Sequence, residues 1–276
     1  ESGKELTTGI KNTFIGGLAG DANTSADNNT AVGFQAMRSA GTPNNNDAAQ
    51  NVAVGSKALT AILDGDNNVA VGYLAGAAIT TGGNNVIIGK EAGDGFTANT
   101  TMTLVGALAG TSINSDGSNG TVAIGYNALG ALVSGGSNTA VGTNAGDALT
   151  SGYRNVAVGN LALSAEDTHG FNVAIGYAAL FSQNAGADAY NVAVGSSAGT
   201  SITTGIKNTI LGGLAGDALT VGNSNVAIGT SSLSADTKGD RAIAIGPGSL
   251  ENQNFTTATD VYNVAIGYDA GNDITT

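Results

Sequence analysis

The stretch Gly195-Ser196-Ser197-Ala198-Gly199 has the G-x-S-x-G spacing of a hydrolase nucleophile elbow, where a serine on a sharp turn is activated by a histidine. The chain holds one histidine, His169, so a Ser-His-Asp triad would have to recruit it. Both glycines of the stretch recur at the same spacing elsewhere, and Ser197 fills a position whose residue type changes from copy to copy. The serine therefore reads as part of a repeat, and the chain is not expected to be an enzyme. The run Gly16-Gly17-Leu18-Ala19-Gly20-Asp21 lacks the Lys and Ser/Thr with which a phosphate loop holds a nucleotide. It also misses the G-G-x-G-x-D spacing of calcium-binding β-rolls. Asp21, Asp94, Asp147 and Asp217 recur at one repeat position and read as solvated turn acids, with weak cation binding the minor alternative. No catalytic residue, cofactor or metal ligand is expected.

Two further sets have the chemistry of recognition. Asn23-Thr24-Ser25 and Asn28-Asn29-Thr30 match glycosylation acceptors, a weak signal in an Asn-rich chain. Phe34, Tyr73, Tyr126, Tyr177 and Tyr268 share one repeat position that alternation places outward. Exposed aromatic rings stack on sugar rings, so these five form a candidate lateral binding surface for a cell-surface polysaccharide or host receptor; ordinary surface packing is the plainer reading.

What positions these residues is a repeat. One phrase recurs from end to end: Asn, a β-branched residue, Ala, Val or Ile, Gly, two variable residues, then Ala. Its glycine falls at fifteen places, from Gly16 and Gly33 to Gly246 and Gly267, and ten of the fourteen spacings are 17 residues. A fixed period of this size marks a solenoid, whose units bury a core only when stacked. Slots are numbered here from that glycine. Slot −4 is Asn in twelve of fifteen copies, fit for left-handed turns and for a ladder of stacked amides. Slots −3 and −1 are β-branched or Leu throughout, which predicts a strand ending at the glycine. Slot +3 is always Ala or Ser, so space is tight there. Slot +7 is bulky and apolar in nine copies, among them Ile62, Ile79, Phe96, Leu149, Ile202 and Leu219, which predicts a second short strand.

Slot −2 decides the expected assembly. Alternation puts it on the face opposite slots −3 and −1, yet it is Ala in eleven copies and Phe14, Ile87, Leu104 or Ile210 in the others. A strand apolar on both faces is covered on both faces, by another wall of the same chain or by another chain. The homo-oligomer is the favoured solution, with Ala53, Ala70, Ile87, Leu104 and Ala157 at the interface.

Four longer spacings follow Gly33, Gly106, Gly176 and Gly246, one coil in every four. They predict loops centred near Asn44-Asn45-Asn46-Asp47, Asn114-Ser115-Asp116, Gln183-Asn184-Ala185 and Phe255-Thr256-Thr257. Both ends of the chain fall inside the repeat, so residues 1–276 are expected to be one continuous solenoid rod from a longer fibre.

Composition agrees. Of 276 residues 44 are Gly, 41% are apolar and 11% charged, which is neither collagen nor disorder. With no cysteine, neither disulfides nor thiolate metal sites exist. The net charge of −12 denies nucleic acid a basic footprint, and no apolar run has the length of a membrane helix.

The phrases Asn51-Val52-Ala53-Val54-Gly55 and Asn172-Val173-Ala174-Ile175-Gly176-Tyr177-Ala178-Ala179-Leu180 resemble the head repeats of trimeric autotransporter adhesins and similar repeats of phage tail-fibre proteins. The resemblance covers essentially the whole chain, although the 17-residue coil is longer than that of the adhesin heads. It implies a left-handed parallel β-roll, three chains around one axis, and attachment to a surface. The expectation is therefore an all-β parallel β-solenoid of about fifteen coils in a homotrimer, acting as the structural shaft or adhesin segment of an extracellular fibre, on a virion tail or a bacterial surface. A self-assembling surface filament is one alternative. An ice-binding solenoid is another, but its flat threonine array is not met by the irregular Thr13, Thr30, Thr103, Thr139 and Thr209.

Overall fold

The computed structural model describes residues 1–39 and 47–276. The chain divides into two compact units, Glu1–Asn138 and Thr139–Thr276. Each is a parallel β-solenoid with a three-residue strand in every coil, at slots −3 to −1. The first unit carries seven such strands, from Thr13–Ile15 to Val122–Ile124; the second carries eight, from Thr139–Val141 to Val264–Ile266. Strands pair in parallel and in strict register, as in Val69↔Val86, Ala70↔Ile87 and Val71↔Ile88. Slot stacks on like slot, so one residue's environment is repeated in every coil.

Sharp corners come from backbone conformations rather than from long loops. The repeat glycines all sit at φ between 125° and 141°, a region closed to L side chains. A β-carbon on Gly72 would also lie 2.5 Å from the carbonyl oxygen of Gly89 in the next coil, so coils meet backbone to backbone there. Slots −5, +2 and +4 are left-handed as well, for example Asn67 at φ 59°, Leu74 at 58° and Gly76 at 58°. Among the described residues the strand expected at slot +7 does not form; the second short strands are Gly239–Asp240 and Thr259–Asp260, farther along their coils and paired in parallel. At slot +7 the chain turns instead, with Ile79 N–H donating to Gly76 O at 3.1 Å. Backbone ladders between coils nevertheless continue past the strand, as Leu74 N–H to Ser56 O (3.1 Å) and Thr80 N–H to Thr97 O (2.9 Å).

The slot −4 asparagines close the coils. The Asn68 Nδ2 donates to Gly82 O at 2.9 Å, tying the start of its coil to the end, while its Oδ1 accepts from the backbone N–H of Asn85 at 3.2 Å and from the Asn85 amide at 2.9 Å. The same pattern recurs at Asn51, Asn208 and Asn225. The ladder is therefore real, and its cause is side-chain hydrogen bonding; the left-handed residue is the one before, at slot −5.

Slot −2 faces inward, opposite to its assignment from the sequence. Ala53, Ala70, Ile87, Leu104 and Ala157 are at most 1% exposed within one chain and lie in its core, so they leave nothing for a second chain to touch. The large residues among them fill space vacated by a neighbour: all four coils with Phe14, Ile87, Leu104 or Ile210 have glycine at slot +4, whereas Ala53, Ala123 and Ala157 face Leu59, Leu129 and Leu163. Slot +7 completes the core with Ile62, Ile79, Phe96, Leu149, Ile202 and Leu219, each contributing about 1.5–3 kcal/mol on burial. The half-exposed face of the strands is therefore slots −3 and −1, with Ile88, Ile124, Ile175, Val192 and Leu211 open to solvent. Thr13, Thr30, Thr103, Thr139 and Thr209 stand on that face, Thr13 beside Thr30 and the others beside valines.

The long loops lie partly where expected. The first falls at residues outside those described, apart from Asp47. In the third, Gln183 and Ala185 are buried and the exposed tip is Gly186-Ala187. Gln183 occupies slot +7, so the insertion begins only after the core position is filled. Near Asn114, residues Asp116–Ser118 form a 3-10 turn.

Candidate functional site

The slot +1 aromatics project outward, at 52% exposure for Phe34, 44% for Tyr73, 54% for Tyr126, 55% for Tyr177 and 79% for Tyr268. They do not meet. Phe34, Tyr73 and Tyr126 are separated by one or two coils in the first unit, and Tyr177 and Tyr268 by four in the second. Tyr177 lines a groove of about 280 Å³ with Leu161, Phe181, Ser197 and Thr200. Ser197 sits in a left-handed turn at φ 55°, its N–H donating to Tyr177 O. The contacts of His169 are with Thr168 and Glu166.

Acids at slot +5 are tied to hydroxyls of the next coil: Thr111 donates to Asp94 at 2.8 Å, and Ser164 donates to Asp147. Asp217 keeps a buried oxygen without a partner, and burial pushes its carboxyl above the usual range. Asn23 of the first glycosylation motif is buried, with Nδ2 donating to Met37 O at 2.8 Å, which removes it as an acceptor.

Besides Asn23, slot +7 holds buried polar residues in two pairs of successive coils. Asp236 accepts from the backbone N–H of Lys238, Gly239 and Phe255 and from Gln253 Nε2 at 2.6 Å, while Gln253 accepts from Asn263 Nδ2 at 2.7 Å. Glu166, Gln183 and Asn191 repeat this relay. Asn191 donates to Gln183 Oε1 at 2.7 Å and His169 N–H to Glu166 Oε1 at 3.2 Å, but Glu166 Oε2 and Gln183 Nε2 lack partners. Burial holds the Glu166 carboxyl above its ordinary pKa, against the weaker opposing pull of the His169 N–H and imidazole. One ligand atom each from Glu166, Asp167 and His169 lies within 4.8 Å of the others, close enough to share a cation. The Asp236 relay shows the same slot acting as a core hydrogen-bond hub.

The densest chemistry is at slot −5 of the second unit. Arg154, Phe171, Tyr190 and Lys207 follow one another coil by coil, and Arg241 and Tyr262 continue the column after Ser224. Phe171 and Tyr190 are stacked with centroids 4.9 Å apart and planes 11° apart, and Tyr153 meets Phe171 edge-on at 5.5 Å. Arg154 lies over Phe171 at 5.5 Å and Arg241 over Tyr262 at 5.7 Å. The Tyr153 hydroxyl reaches both oxygens of Asp188, at 2.9 and 3.1 Å, and this bond, with some burial, raises its pKa. Arg241 pairs with Asp260. Between Lys207 and Arg241, over Ser224, lies a groove of about 290 Å³. Sequence reasoning passed over this column. The signal was there: aromatic side chains stand in a slot that the first unit fills with Lys11, Asn28, Gln50, Asn67, Asn84 and Thr101.

Comparison with family models, curated proteins and solved structures finds no match to the chain. Among the described residues no helix is long and apolar enough to cross a membrane.

Proposed function

We propose that the chain is a shaft or adhesin segment of an extracellular attachment fibre, on a phage tail or a bacterial surface, and that it works as a homotrimer of left-handed β-rolls. The observation that carries this reading is the outward face of the strands. In each unit slots −3 and −1 stack into a half-exposed stripe without charge, mostly Val and Ile with threonines and Leu211 among them, as at Val86, Ile88, Ile175 and Val192. Contiguous apolar patches of this kind mark association surfaces. A flat stripe repeated in every coil suits side-by-side packing of identical chains. The resemblance of Asn172-Val173-Ala174-Ile175-Gly176 to trimeric adhesin and tail-fibre repeats supports three chains.

Light scattering on the purified chain is expected to give the mass of a trimer, and electron microscopy a straight fibre segment. A soluble monomer at micromolar concentration would remove the assembly from the proposal.

A further inference from the structure

We propose that the slot −5 column of the second unit is a docking strip for an extended, neutral polysaccharide. The inference rests on the attachment reading above and names the partner and the face. Of the seven residues in the column, Arg154, Lys207 and Arg241 are basic and Phe171, Tyr190 and Tyr262 aromatic; Ser224 is the exception. Three of the unit's four Lys and Arg are gathered here, in a chain of net charge −12.

Every residue of the column is left-handed, with φ between 51° and 62°. Asn tolerates this conformation, and longer side chains also hold it throughout the solenoid, as at Lys11, Gln50, Leu74 and Leu161. The first unit uses Asn28, Asn67 and Asn84 at the same φ, together with Lys11, Gln50 and Thr101. Burial does not explain the aromatic rings of the column, because Tyr190 and Tyr262 are 51% and 66% exposed.

The arrangement fits a sugar chain. Coils repeat at about 4.8 Å, close to the advance of an extended polysaccharide per ring, so successive slots address successive sugars. Phe171 is stacked on Tyr190 beneath Arg154, and Arg241 covers Tyr262, so a pyranose meets the ring surface that Tyr190 and Tyr262 leave open to solvent. Asp188, Asp240 and Asp260 border the strip and offer acceptors to hydroxyls, while Lys207 and Arg241 flank the groove as donors. Three cations against three carboxylates leave the strip close to neutral, which favours a hydroxyl-rich chain. A polyphosphate would meet the acids here and the net negative charge of the whole molecule.

The test is native affinity electrophoresis of the purified oligomer in gels containing a soluble β-glucan, a mannan or a galactan, with heparin and labelled oligothymidylate as the charged alternatives. At least one neutral polysaccharide should retard the protein. The triple variant F171N/Y190N/Y262N should weaken that retardation by about tenfold or more, since it removes the two exposed rings and the Phe171 ring that supports Tyr190. Asn is native to this slot in the first unit, so the variant's thermal midpoint and oligomer mass should be unchanged or raised. Retardation by none of the neutral polysaccharides, equal binding by the triple variant, or binding to heparin or oligothymidylate alone would overturn the proposal. Scattering mass and fibre images are read separately, so loss of the strip and loss of the fibre reading are distinguishable.

Discussion

Leu104 packs over Gly93, its Cδ1 lying 2.6 Å from the point that a β-carbon on Gly93 would occupy. The glycine stands at slot +4 of one coil and the leucine at slot −2 of the next, both inside the core. Gly20 and Phe14 show the same exchange of volume within one coil, at 2.5 Å.

Gly93→Ala is therefore expected to destabilise the first unit by roughly 2–4 kcal/mol, from left-handed strain (φ 50°) and overpacking together. Leu104→Ala alone should cost about 2–5 kcal/mol. The double variant should be less destabilised than the sum by about 1 kcal/mol or more, because the two share one space. Urea unfolding of the four proteins checks this, and strict additivity would contradict it.

Lysine scanning separates the two faces of a strand. Ala70→Lys buries an unpaired charge in the coil interior and should unfold the surrounding coils, seen as lost circular dichroism. Ile88→Lys lies on the outward face and should leave the monomer folded while reducing the scattering mass. The reverse outcome would mean that the strand is turned the other way.

Asn68→Ala removes the acceptor for Asn85 and the donor to Gly82 O, leaving buried backbone groups unpaired. Each such group costs about 1–3 kcal/mol. Hydrogen exchange at Asn85 should accelerate by at least tenfold, for a cost of about 1.4 kcal/mol, with coils several repeats away unaffected. Uniform acceleration throughout the unit would indicate a global effect instead.

The Glu166 carboxyl titrates above its ordinary value in the folded chain because it is buried. Its contribution to stability is thus present below the unfolded pKa and is lost as pH rises through the folded one. Glu166→Gln keeps an acceptor for the His169 N–H and removes the titration. The variant should be more stable than the parent at neutral pH, and its advantage should vanish as pH falls through the carboxylate range. Thermal midpoints of both proteins across that range check the sign.

The sequence by itself determined the period, the strand and the parallel register, because a solenoid repeats one local environment and each slot therefore shows its constraint fifteen times. Ala or Ser at slot +3 gave tight packing, Asn at slot −4 gave the ladder, and Val or Ile at slots −3 and −1 gave the strand. What alternation could not supply was which face of that strand points inward. Ala at slot −2 and Val at slots −3 and −1 are all apolar, so the pattern is symmetric under inversion. Tertiary structure broke the symmetry through volume: a narrow coil closed by Gly72 and Asn68 has room for Ala70 opposite Ile79, and the branched residues go outside. The same limit hid the slot −5 column, since Arg154, Phe171, Tyr190 and Lys207 are far apart in sequence and share no residue type. Only the stacking of left-handed corners one above another makes them neighbours.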